Sequence, residues 1–215
     1  MQILSALLYF LAQHSVIAIL VINLIGFLLV IWRFKISIMV FTFILSMVNF
    51  FAGNILNAWF LAKFGTDATA IITSAEQTSS MMNEQYIWEY GVVMKTAEGK
   101  AVESQFTTSN VSIYPIRNSI LIPVQNQEFV VRYIPGYEKN IVIMSDESEY
   151  GKRRISNDNL KAVEKEKTKY DFSPETDEFR KSYIEAMKQY IENPENDLDS
   201  VNIMKFKAII RHLRP

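Results

Sequence analysis

The sequence predicts an α+β membrane protein in three parts. These are a two-helix transmembrane hairpin over residues 1–63, a small antiparallel β-barrel of OB or SH3-like type over 64–150, and a charged linker with an amphipathic helical hairpin over 151–215. Three observations predict it. The first 62 residues carry only two charges, Arg33 and Lys35; apolar residues then alternate with a period of two; and near the end they recur at intervals of four. Residues 63–150 hold 6 basic and 11 acidic side chains, a net −5, and residues 151–215 hold 14 and 12, a net +2. No stretch clusters positive charge as a nucleic-acid footprint requires, so nucleic acid is not an expected partner. The absence of cysteine excludes disulfides, thiolate metal sites and cysteine nucleophiles.

Residues 36–62, ISIMVFTFILSMVNFFAGNILNAWFLA, are uncharged and exceed the roughly 20 residues that cross a bilayer core at about 1.5 Å each. Residues 15–32, SVIAILVINLIGFLLVIW, form a second run of nearly spanning length, with Gln13 and His14 near one interface and Trp32 near the other. A signal peptide would need a basic start, a short apolar core and a small-residue cleavage site, and those features are missing. Residues 1–12 either extend the first helix or lie along the membrane surface. Only Arg33-Phe34-Lys35 joins the two runs, so they form an antiparallel hairpin whose basic loop stays cytoplasmic. Both ends of the hairpin, and everything after Ala62, are then expected in the periplasm at a bacterial inner membrane.

Thr42, Ser46, Asn49, Gly53 and Asn57 recur every three or four residues and share one helix face. Asn23 and Gly26 form a shorter stripe on the other helix. Folding about Phe34 sets Asn23 against Leu45 and Ser46, and Gly26 against Thr42, so small residues allow close approach and amides bond across. The alternative is that Asn49 and His14 face a partner helix or a wet cavity.

From residue 65 the alternation describes about five strands: ATAII, YIWEYGVVM, AVESQFTT, FVVRY and NIVIM. Tyr86, Trp88, Tyr90, Val92 and Met94 line one face of the second, and in a closed or nearly closed barrel such a stripe fills the interior. Pro135 ends a strand and Gly136 supplies the turn. Residues 109–123, SNVSIYPIRNSILIP, are irregular because Pro115 and Pro123 interrupt a ladder. Ile113, Tyr114, Ile116, Ile120 and Leu121 pack on the barrel or membrane surface, or form an exposed contact patch with Arg117 as polar anchor.

The order G…A.I at residues 65–71, YIWEYGVVMKTAEGK with its Glu98-Gly99-Lys100 turn, and VVRYIPGYEKNIVIM resembles bacterial domain-of-unknown-function family 3592. The resemblance covers about eighty residues and departs at Asn126–Glu128, where the family has a glycine. It implies a small β-barrel tied to one or two membrane helices in a bacterial envelope, and it transfers no catalytic residue.

In the tail, residues 151–169 read as a solvated helix or linker. SPETDEFRKSYIEAMKQYIENP follows, with Ser173 as expected N-cap, Pro174 at the first helical position and Pro194 beyond the end. Phe179, Tyr183, Met187 and Ile191 form one apolar face. A second helix carries Ile203, Phe206, Ile210 and Leu213, and the two faces meet each other, the barrel or a partner.

Chemistry is poorly supplied. With His14 and His212 the only histidines and no phosphate-binding glycine loop, triads and histidine metal sites lack parts. Glu76, Glu89 and Glu103 read as a solvated face rather than a carboxylate pair. The expectation is a non-enzymatic protein-binding module without cofactor, such as an immunity protein neutralising an envelope-acting toxin. The alternative is a structural or accessory subunit of a membrane complex. Its contacts are membrane lipid, another protein at Tyr114, Ile116, Arg117, Leu121, Tyr137, Phe179 and Tyr183, and compatibly a second copy of itself.

Overall fold

The computed structural model describes residues 1–117 and 121–213. Three helices open the chain: α1 (Gln2–Gln13), α2 (Ser15–Arg33) and α3 (Ser37–Phe64). The α2–α3 reversal is made by Phe34 in the left-handed region (φ 53°), which ends α2. Both α2 and α3 are long and apolar enough to cross a membrane, and only 11% and 22% of their most apolar windows are buried inside the protein. A core helix of a water-soluble protein would be mostly buried; these leave side chains such as Leu20, Phe41 and Phe51 bare.

α1 is a separate helix, and it neither extends α2 nor lies free of the fold. The chain kinks at His14 (φ −122°, ψ 48°), and α1 packs on the second half of α3 and on the sheet.

The sheet comprises β1 (Thr66–Met82), β2 (Gln85–Lys95), β3 (Ala101–Thr107), β4 (Ile113–Tyr114), β5 (Glu128–Ile134) and β6 (Tyr137–Met144), in the order β3-β2-β1-β5-β6-β4. It is mixed and open where an antiparallel barrel is expected. β4 runs parallel to β6 through Ile113↔Ile143 and Tyr114↔Met144, because the proline-interrupted segment recrosses the fold before rejoining it. Among the described residues no backbone ladder joins β3 to β6; the sheet curls until Ser104 Oγ donates to the Lys139 carbonyl at 3.1 Å.

Alternate residues of β1, β2, β5 and β6 bury Ala68, Ala70, Ile72, Val92, Met94, Phe129, Val131, Tyr133, Ile141 and Ile143. β6 is buried on both faces from Asn140 to Met144. Its second face, with Val142 and Met144, forms one cluster with Ile134 of β5 and with Ala58, Phe60, Leu61 and Ala62 of α3. The expected division between residues 63 and 64 therefore falls inside a shared core. Gly65 is forced by the close junction, since a Cβ there would strike the Leu61 carbonyl at 2.5 Å and Arg132 at 2.8 Å. Arg132 donates to the Ala62 carbonyl at the negative end of α3 and to Asp67 at 2.6 Å.

The chain divides into two compact units, Met1–Ser145 and Asp146–Pro215. The second is a bundle of α4 (Glu149–Phe172), α5 (Asp177–Glu192) and α6 (Ser200–Leu213), rather than a linker and a hairpin. α4 contributes Val163, Leu160 and Tyr170 to a core with Tyr183, Met187, Tyr190, Phe206 and Ile210. Its surface is held by ion pairs one turn apart, Arg153–Glu149, Lys161–Asp158, Lys169–Glu166 and Lys167–Asp171. α5 begins at Asp177 with Thr176 at the cap position, not at Pro174. The Ser173 hydroxyl instead bonds Glu175 and Thr176 within the preceding turn.

Candidate functional site

The predicted contacts between α2 and α3 form as expected. Asn23 Nδ2 donates to Ser46 Oγ and to the Ile19 carbonyl, both at 2.9 Å, and a Cβ on Gly26 would collide with the Thr42 hydroxyl. Asn49 and Gly53 meet α1 instead. Asn49 Nδ2 donates to the Leu11 carbonyl at 3.1 Å, in the last turn of α1, where the kink at His14 deprives carbonyls of helical donors. Gly53 lies where a Cβ would sit 3.4 Å from that same carbonyl.

Asn57 lies on the predicted face but leaves the hairpin altogether. Its Nδ2 donates to Asn140 Oδ1 at 2.9 Å and to Ser112 Oγ at 3.2 Å, and its Oδ1 accepts from Asn140 Nδ2 at 2.8 Å. Asn140 also reaches the Ser5 carbonyl and hydroxyl, both at 3.1 Å. Asn57 and Ser5 are fully buried, Asn140 is 1% exposed and Ser112 5%. One closed polar knot thus ties α1, α3, β6 and the start of the irregular segment. The sequence shows Asn140 only as the polar first residue of an apolar strand, which is too faint a signal to single it out.

The predicted partner surface is dispersed. Tyr114 is half-buried in β4 against the α3–β6 cluster, while Ile116 and Arg117 are exposed and Leu121 half-buried; Ile120 lies outside the described residues. Tyr137 is half-buried and sets its ring edge-on to Tyr9 of α1, with centroids 5.7 Å apart. Phe179 is half-buried. Tyr183 belongs to the bundle core at 3% exposure, stacked on Tyr170 at 5.7 Å, because the face carrying it is the face that packs on α4.

The aromatic stripe of β2 also departs from expectation. Val92 and Met94 are buried and Tyr90 stacks on Phe106 at 5.2 Å, but Tyr86 and Trp88 are exposed. β1 pairs with β5 only over Thr66–Ile71, and β3 pairs with β2 only from Glu89 onward, so the end of the β1–β2 hairpin projects as a two-stranded ribbon. Its turn places Asn83 and Glu84 in the left-handed region (φ 51° and 64°), the twist that a tight hairpin requires. Met81, Met82, Tyr86 and Trp88 are 38–55% exposed, and Leu121 and Ile122 join Met82, Tyr86 and Trp88 around a broad depression of about 680 Å³.

A second cleft of about 470 Å³ opens beside the β3–β6 seam, lined by Tyr9, Thr73, Ser74, Glu103, Gln105 and Lys139 among others. Among the described residues no three His, Asp or Glu side chains lie together as a metal site. No family model matches the chain, and neither a curated protein nor a solved structure matches it.

Proposed function

We propose that this chain is a non-enzymatic protein-binding module anchored by α2 and α3 in a bacterial inner membrane, its sheet and bundle in the periplasm. In this reading it holds a basic protein partner, such as an envelope-acting toxin that it neutralises. The open sheet, curled until β3 and β6 meet at Ser104 and Lys139, is read as the counterpart of the small barrel that the resemblance to domain-of-unknown-function family 3592 implies. The observation that carries the reading is the ribbon. From Ile72 to Glu89 the chain has three acids, Glu76, Glu84 and Glu89, and no base, while Met81, Met82, Tyr86 and Trp88 are exposed. Aromatic and methionine anchors on an acidic arm suit a partner with apolar and basic groups, and acidic charge speeds its encounter.

The accessory-subunit reading needs a free polar face on the membrane helices. What weighs against it is that the amide donors of Asn23, Asn49 and Asn57 are taken up within the chain.

The test is capture of partners from native membranes by the tagged full-length protein, compared with its Met82→Ser/Trp88→Ser variant. Loss of the captured protein with an unchanged melting temperature supports the ribbon as binding surface. Equal capture by both proteins overturns it, and retention of a membrane complex alone would favour the subunit reading.

A further inference from the structure

The outward face of α6 has no partner in the bundle and an unusual chemistry. Phe206, Ile210, Ile203 and Leu213 turn inward. On the opposite side Val201 and Met204 are 70% and 65% exposed, continued by Ala208 and preceded by Leu198 at 55%. At about 100° per residue, Lys205 flanks this apolar strip on one side and Lys207 and Arg211 on the other, all exposed. α6 contains no acid. Among the described residues its three cations join no ion pair, whereas α4 and α5 carry a series of them, from Arg153–Glu149 to Lys188–Glu185.

We infer that the outer face of α6 docks on the anionic headgroup surface of the membrane, with Val201, Met204 and Ala208 in the headgroup layer and Lys205, Lys207 and Arg211 on lipid phosphates. This rests on the membrane-anchored reading above. An apolar strip edged by unneutralised lysine and arginine is the pattern of an interfacial helix. A chain held by α2 and α3 keeps its bundle near a bilayer at all times, so a weak surface affinity suffices. Each cation near an anionic surface contributes about a fivefold preference, so three shift the docking equilibrium by on the order of a hundredfold.

The cysteine-free chain makes the test direct. Full-length protein with Met204→Cys, carrying an environment-sensitive NBD dye, is placed in nanodiscs of phosphatidylcholine or of equal parts phosphatidylcholine and phosphatidylglycerol. A matching dye at Ala162→Cys, exposed on α4, is the control. The expected result is a blue-shifted, brighter dye at 204 on the acidic discs only, reversed at about 1 M salt, where the screening length is about 3 Å. The dye at 162 stays unchanged. Lys205→Glu/Lys207→Glu/Arg211→Glu should abolish the response, and because lipid and salt are varied on the unreversed protein, the test does not depend on that variant folding. A dye at 204 that is indifferent to lipid charge and salt, in a chain that resists alkaline extraction from the discs, overturns the α6 inference and leaves the anchor reading standing. A chain that washes off overturns both.

Discussion

Replacing Asn140 with leucine tests whether the buried amide knot fixes the helices to the sheet. The side chain is 1% exposed, exchanges two hydrogen bonds with Asn57 and donates to Ser5. Leucine is close in volume, so hydrogen bonding is lost with little cavity. The change strands Asn57 Oδ1, whose donor is Asn140, and it leaves the Ser5 hydroxyl without that donor. At about 1–3 kcal/mol for each orphaned buried group, Asn140→Leu destabilises by about 2–6 kcal/mol, and Asn57→Leu by a similar amount. In the double variant neither amide is stranded by the other, so its loss falls short of the sum by about 1–3 kcal/mol. The assay is SDS titration of the full-length protein in detergent micelles, following helicity, for the four proteins of the cycle. Losses that add to within about 0.5 kcal/mol, or single variants as stable as the parent, would refute the reasoning.

Three further outcomes follow from the geometry. Gly26→Ala drives a Cβ into the Thr42 hydroxyl and should lower stability by about 1–3 kcal/mol in the same titration, with Thr42→Gly on the same chain restoring most of it. In the bundle, burial and then the 2.6 Å bond donated to Asp199 push the Tyr190 hydroxyl up to about 12 from its ordinary 10.0. A raised pKa stabilises the fold fully below pH 10, and that contribution disappears between pH 10 and about 12. Tyr190→Phe should therefore differ from the parent in melting temperature at pH 8 and converge with it by pH 12, and a constant difference would sink the assignment. Met82→Ser/Trp88→Ser should weaken partner capture by at least about tenfold, as loss of clustered anchors does elsewhere, without moving the melting temperature.

Much of the fold could be read from periodicity because burial on one face imposes it. The α2–α3 pairing followed from two stripes and a three-residue loop, and Asn23 does meet Ser46. Reading failed where a face is shared by elements distant in sequence. Asn49, Gly53 and Asn57 lie on the same stripe as Ser46, yet α1 and β6 claim them, and no periodic signal in residues 1–12 names its partner. The β2 stripe misled differently: Trp88 and Val92 alternate alike, but β5 pairs with β1 no further than Ile71 and β3 reaches Trp88 only through Thr108 just past its end, and strand length is not written in the alternation. α4 was hidden by charge, since a core stripe of Leu160, Val163 and Tyr170 is narrow beside its ion pairs.

The length of α3 links anchor to function. Its 28 residues span about 42 Å against a hydrocarbon core of about 30 Å, a surplus of about eight residues. The last eight, from Asn57 to Phe64, are the ones that bond Asn140 and bury Ala58, Phe60, Leu61 and Ala62 on β6. If α3 crosses a bilayer, the part that outruns it is the part the sheet is built on. In the anchored reading the sheet cannot swing as a head on a linker: α3 continues into it as a stem, braced by α1 and locked by Arg132. A stem presents the β1–β2 ribbon at a set height and azimuth above the membrane, which lowers the entropy lost when a partner confined to the same surface binds. Breaking the stem while leaving the ribbon intact, as Asn57→Leu does, should weaken capture of a membrane-bound partner more than capture of the same partner in free solution. Equal weakening in both settings would mean that the stem serves stability alone.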